Sequence, residues 1–164
     1  MTWEHYIREA QHFTGPDIKF VPIVEITLRD PNPVPGTCWD TDGKTARIRG
    51  GTDITLHTMA HEVFHSVFHN SPLHRYAEHW GEGFCEMFAT LMVGHEATGS
   101  IPIDYALKYR LPERVISRVC NGDYDEFVSR WFRWNQIALE CRKEGFLDRL
   151  LGFVPGRGYL HALS

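Results

Sequence analysis

The chain has no apolar run of the roughly 20 residues needed to cross a bilayer, and Met1-Thr2-Trp3-Glu4-His5-Tyr6 lacks the basic start and apolar core of a signal peptide. These absences predict a cytoplasmic protein with no membrane partner; a piece released from a longer precursor would read the same way. Cysteine is sparse and scattered. Cys38, Cys85, Cys120 and Cys141 include no Cys-x-x-Cys pair, so neither a zinc ribbon nor a dithiol redox site is indicated, and the thiols are expected to be reduced and buried. Charge is nearly balanced at −4, which gives no electrostatic reason to expect nucleic acid. Internal repeats, low-complexity tracts and domain linkers are also missing. What remains is one domain over residues 1–164, 43% hydrophobic and therefore able to bury a core.

The chemistry is concentrated between Thr52 and Asn70, with His61-Glu62-Val63-Phe64-His65 at the centre. On a helix of about 3.6 residues per turn, His61 and His65 lie one turn apart on the same face, so both imidazoles can reach one metal ion. Glu62 is rotated off that pair and is suited to touch a metal-bound water, the division of labour in H-E-x-x-H zinc hydrolases. Thr52 or Asp53 is the expected N-cap. Leu56, Met59, Ala60, Val63, Phe64 and Val67 form the apolar face, and Asn70-Ser71-Pro72 ends the helix. Two histidines alone do not make a zinc site, because a third protein ligand is required. The next stretch supplies candidates: His79 to Ala89 reads as a helix with Glu82 and Glu86 one turn apart, and with Cys85, which approaches the metal or, more often for a free cysteine, is a small core residue.

The run Glu82-Gly83-Phe84-Cys85-Glu86 resembles the N-E-G-F-A-E segment of aminopeptidase N-like enzymes and, more loosely, the Glu-x-x-x-Asp helix of thermolysin. With His61-Glu62-x-x-His65 this is the pattern of the gluzincin metallopeptidases. The resemblance implies that His61, His65 and Glu82 bind one Zn2+ and that Glu62 is the general base. Glu86 would accept a hydrogen bond from a ligand histidine; it is also the alternative ligand, since the sixteen residues between His65 and Glu82 are fewer than in aminopeptidase N relatives. A more distant resemblance is to the ImmA/IrrE-like peptidases, carried by His69 four residues after His65 and by Phe88-Ala89-Thr90-Leu91-Met92. In that pattern the ligand acid stands four residues before the Phe, a position occupied here by Phe84.

Around this centre, Thr2 is expected to cap a first helix of about eleven residues carrying Trp3, Tyr6, Ile7, Ala10 and Phe13 at helical spacing. Ile18 to Leu28 reads as a strand in which Pro22 removes one donor. Thr37–Trp39 and Thr45–Arg49 flank Asp40-Thr41-Asp42-Gly43-Lys44 as a hairpin. If the gluzincin resemblance extends to the strand at 45–49, its free edge takes an extended substrate and Arg47 and Arg49 lie near the cleft; alternatively they are solvated strand charges. His57, His61, His65 and His69 recur every four residues, which turns the ladder by about 40° per step, so all four cannot bind one ion. His57, His69 and the loop residue His79 are candidates to line the cleft. His74, Tyr76, His79, Tyr105, Tyr109, Tyr159 and His161 are candidate donors to a developing oxyanion. Helices are expected from Asp104 to Tyr109, from Pro112 to Cys120, and from Asp123 or Asp125 to Lys143.

The expected architecture is α+β and zincin-like: a small N-terminal mixed β-sheet packed on the active-site helix, with a mainly helical C-terminal half. The expected function is a zinc-dependent peptidase acting on peptide or protein substrates. The alternative is a zinc-binding regulatory or protein-interaction module of zincin fold that hydrolyses nothing.

Overall fold

A computed structural model describes residues 2–28, 37–50, 54–74, 81–93 and 123–144. Within them lie helices α1 (Trp3–Gln11), α2 (Leu56–Phe68), α3 (Gly81–Val93) and α4 (Tyr124–Glu144), and strands β1 (Ile23–Leu28), β2 (Thr37–Thr41) and β3 (Ala46–Gly50). The chain is mixed α+β. None of the helices among the described residues is long and apolar enough to cross a membrane. The helices expected at 104–109 and 112–120 fall outside the described residues, as do Tyr76, His79, Tyr105, Tyr109, Tyr159 and His161.

The three strands form one mixed sheet in the order β1-β3-β2, with β1 parallel and β2 antiparallel to β3. This corrects the expectation for the strand at 45–49. It is the central strand, hydrogen-bonded on both sides, and has no free edge to offer a substrate; β2 is the edge strand on the α2 side. Alternation along β3 places Ala46 and Ile48 in the core and Arg47 and Arg49 on the exposed face. Arg47 pairs with Glu25 at 3.5 Å and Arg49 with Asp40 at 3.2 Å, so both are solvated strand charges and neither faces α2. The hairpin turns at Gly43, whose φ of +86° favours glycine. Asp42 Oδ1 accepts the Lys44 and Thr45 amides there.

Two boundaries also differ from expectation. The first strand starts at Ile23 rather than Ile18, because Pro22 has no N–H and Val21 donates its own to the Ser66 carbonyl on α2 at 2.8 Å. Ile18 and Val21 are buried against the helices instead. Helix α2 is capped by Thr55, whose hydroxyl accepts the Thr58 amide at 3.1 Å, not by Thr52 or Asp53. At α1, Thr2 stands at the cap position but its hydroxyl accepts no helix amide. At α4, Asp123 does cap, accepting the Glu126 amide at 2.8 Å.

The core is aromatic and is built around α2. The Phe64 ring stacks on Phe88 of α3 at 4.7 Å, Phe13 meets Phe64 edge-on at 5.2 Å, and Trp131 of α4 meets Phe64 at 5.4 Å. Such pairs each add about 0.5–1.5 kcal/mol beyond burial of their area. Trp131 also donates its indole N–H to the Phe13 carbonyl, and the Ser71 hydroxyl donates to Asn135. These bonds tie α4 to both ends of the N-terminal half. At the start of α3, Gly81 lets the helix approach α2 closely, since a Cβ there would sit 2.9 Å from the Phe68 ring. That close approach brings Glu82 towards the histidines.

Candidate metal centre

The histidine ladder divides as the helical geometry requires. His61 and His65 turn inward towards α3, where their Nε2 atoms lie 3.2 Å apart. From α3, Glu82 reaches over them: Oε2 is 3.1 Å from His61 Nε2 and Oε1 is 3.5 Å from His65 Nε2. Ligand atoms bound to zinc at about 2.0–2.2 Å with tetrahedral angles stand about 3.3–3.6 Å apart. The three side chains already converge at that separation, and the donor set of two imidazoles and a carboxylate suits zinc.

Glu86, one turn along α3, lies behind this cluster. Its Oε1 is 2.6 Å from His61 Nδ1 and its Oε2 is 3.3 Å from His57 Nε2, both off the line of a good hydrogen bond but within ion-pair distance. Glu82 therefore occupies the metal-facing nitrogen of His61 and Glu86 the opposite one. A carboxylate in the second place fixes which ring nitrogen points at a metal. His57, at the far end of the ladder, touches only the back of Glu86 among the site acids. His69, at the other end, packs on Trp39 at 5.2 Å and on His74 at 5.2 Å.

Electrostatics in the metal-free protein follow from burial and these contacts. Burial works to lower the pKa of His61, but Glu82 and Glu86 on its two nitrogens lift it from 6.5 to about 9. For His65, burial and then the neighbouring His61 lower the pKa to about 4. Glu62 is raised by burial to about 7, with His61 and the Trp39 backbone N–H pulling the other way. Glu86 is buried, which would raise it, yet His57 and His61 hold it down at about 2. Glu82 is lowered chiefly by its contact with His61.

Two further residues stand at the centre, one that the sequence does not mark and one that it offers with a second reading. Trp39 on β2 lays its ring on His65, 6.0 Å between centroids and 25° from parallel, and donates its indole N–H to Ser66 Oγ at 2.8 Å. Nothing in the sequence marks it, because it comes from the hairpin twenty-two residues before His61. Cys85, for which the sequence offers both a small core residue and an approach to the metal, is fully buried, and its Sγ and one ring nitrogen each of His61 and His65 all lie within 4.8 Å of one another. Glu82 reaches the Nε2 atoms of His61 and His65 at 3.1 and 3.5 Å, the separation a zinc site needs.

An open cleft of about 160 Å³ runs past the centre, lined by Trp39, His65, Phe68, His69, His74 and Glu82. Its walls are mostly aromatic rings, and the one carboxylate is Glu82. The chain matches no family model, and neither a curated protein nor a solved structure matches it.

Proposed function

We propose that the chain is a zinc-dependent peptidase of zincin-like fold, in which His61, His65 and Glu82 hold one zinc ion and Glu62 is the general base. The observation that carries this reading is the convergence of His61 Nε2, His65 Nε2 and the Glu82 carboxylate at 3.1–3.5 Å. Bound at these atoms, zinc supplies Lewis acidity towards a carbonyl and lowers the pKa of water from 15.7 to about 7.

The chain's own residues do the rest. Glu62, with a pKa near 7, takes a proton at its carboxylate and returns it to the leaving amine. Glu86 holds His61 from the Nδ1 side, and His57 holds Glu86 in turn. An extended peptide lies along the β2 edge, beside Trp39 and the cleft lined by aromatic and imidazole rings. A cytoplasmic setting accords with cysteines that are few, scattered and without a Cys-x-x-Cys pair.

Incubating the zinc-loaded protein with a mixed peptide library, with mass spectrometry to find new termini, tests the reading. Cleavage that requires zinc and vanishes in E62Q supports it; no cleavage by zinc-loaded wild type rejects it. The second reading, a zinc-binding regulatory or interaction module without hydrolysis, is favoured by one observation: a potential fourth ligand, Cys85, stands within reach of the same histidines.

A further inference from the structure

We infer that Cys85 is itself a ligand of the metal held by His61 and His65, so that the resting centre is closed by two imidazoles, Glu82 and a thiolate. This rests on the metal centre proposed above and adds to it a control on access.

Glu82 and Cys85 are three residues apart on α3, so both project towards α2, the helix carrying His61 and His65. Sγ of Cys85 and one ring nitrogen of each histidine lie within 4.8 Å of one another. In a tetrahedral site, a sulfur at about 2.3 Å and a nitrogen at about 2.0–2.1 Å from zinc stand about 3.6 Å apart. Ligation of one ion draws Sγ and the two nitrogens from within 4.8 Å to that separation. Cys85 thus belongs to a cluster of ligating atoms from two helices, unlike a cysteine surrounded only by apolar groups. Coordination exchanges the S–H bond for a sulfur–metal bond and releases one proton to solvent, with no change of oxidation state.

Four protein ligands leave no position for water, which is how structural zinc sites differ from catalytic ones. The centre is therefore at rest while Cys85 is bound and becomes competent when the thiolate gives way to water or a substrate carbonyl. A thiolate also biases the site towards zinc and against magnesium or manganese, which prefer oxygen ligands.

Cobalt(II) titrated into metal-free protein is the test, because a thiolate bound to cobalt gives a near-ultraviolet charge-transfer band that imidazole and carboxylate do not. The wild type should bind close to one cobalt per chain and show that band together with the strong visible absorption of four-coordinate cobalt. C85A and C85S should still bind cobalt, lose the band, and bind zinc at least about tenfold more weakly, the smallest loss seen when even an outer partner of a metal ligand is removed. Cobalt bound by wild type without the band overturns the inference, and so does a band that survives in both variants. Failure of the wild type to bind cobalt at all is a different result, which overturns the metal centre itself.

Discussion

Glu82 and His61 meet between two helices that are separate in sequence: Oε2 of Glu82 lies 3.1 Å from Nε2 of His61, while the opposite ring nitrogen lies 2.6 Å from Glu86. One imidazole is thus held between two carboxylates. Only one of its nitrogens can face a metal, and the arrangement decides that it is the one facing Glu82.

The two acids should therefore differ in consequence. E82A removes a ligand and is expected to leave little zinc on the purified protein, measured by elemental analysis. E86Q keeps the ligand set and is expected to weaken zinc binding by about 10–100-fold, the usual cost of losing an outer carboxylate partner. Equal effects of the two substitutions would show that the ligand is not Glu82 alone.

E62Q preserves volume and removes the base. Zinc content should match wild type, and kcat on a cleaved peptide should fall by about 10²–10⁴-fold, the range of general base catalysis. Loss of zinc in E62Q would mean that Glu62 binds the metal.

Metal removal should expose a pH dependence of stability between pH 7 and 9. In that window the main shifted group is His61, whose folded pKa is raised from 6.5 to about 9, with a smaller part near pH 9 from the buried Cys85 thiol, which burial raises well above its ordinary value. A raised histidine pKa stabilises the fold fully below the unfolded value, and that contribution is lost as pH rises through the folded value. The EDTA-treated protein should lose on the order of 1–3 kcal/mol between pH 7 and 9, read from urea midpoints. In H61A most of the slope should disappear, leaving the part near pH 9 that belongs to Cys85.

Gly81→Ala places a methyl group 2.9 Å from the Phe68 ring. The clash is with a packed ring in the core, so relief requires α3 to move off α2. A loss of about 1–3 kcal/mol in stability is expected, together with weaker zinc binding, because Glu82 is the next residue. Unchanged zinc affinity would show that Glu82 is positioned independently of this contact.

Trp39→Phe keeps a ring over His65 but removes the indole N–H bonded to Ser66 Oγ. Ser66 is fully buried, so its hydroxyl loses a partner at a cost of about 1–3 kcal/mol. The thermal midpoint should fall while cobalt still binds at one equivalent.

Much of this was legible along the chain because it depends on local periodicity. A four-residue step on a helix is enough to put His61 and His65 on one face, to pair Glu82 with Glu86, and to separate His57 from His69. On α4 a helical spacing likewise carries Phe127, Trp131, Trp134 and Ala138, all buried. Boundaries were less legible. Thr52, Asp53 and Thr55 are all competent caps, and the choice of Thr55 depends on where the chain leaves β3. Pro22 signalled an interruption, but not that Val21 would bond to α2 and leave the strand to begin at Ile23.

Strand order, and with it the surroundings of the site, was decided only by tertiary structure. Alternation along 45–49 specifies which residues face the core, but it is silent on how many neighbours a strand acquires, because backbone hydrogen bonds are the same for every sequence. Pairing β1 and β2 on either side of β3 removed the expected free edge and brought Trp39 onto His65. In the same way, helical spacing nominated two acids but could not rank them. The close approach of α3 to α2 at Gly81 set Glu82 at one nitrogen of His61 and Glu86 at the other, since the distance between two helices depends on the side chains packed between them.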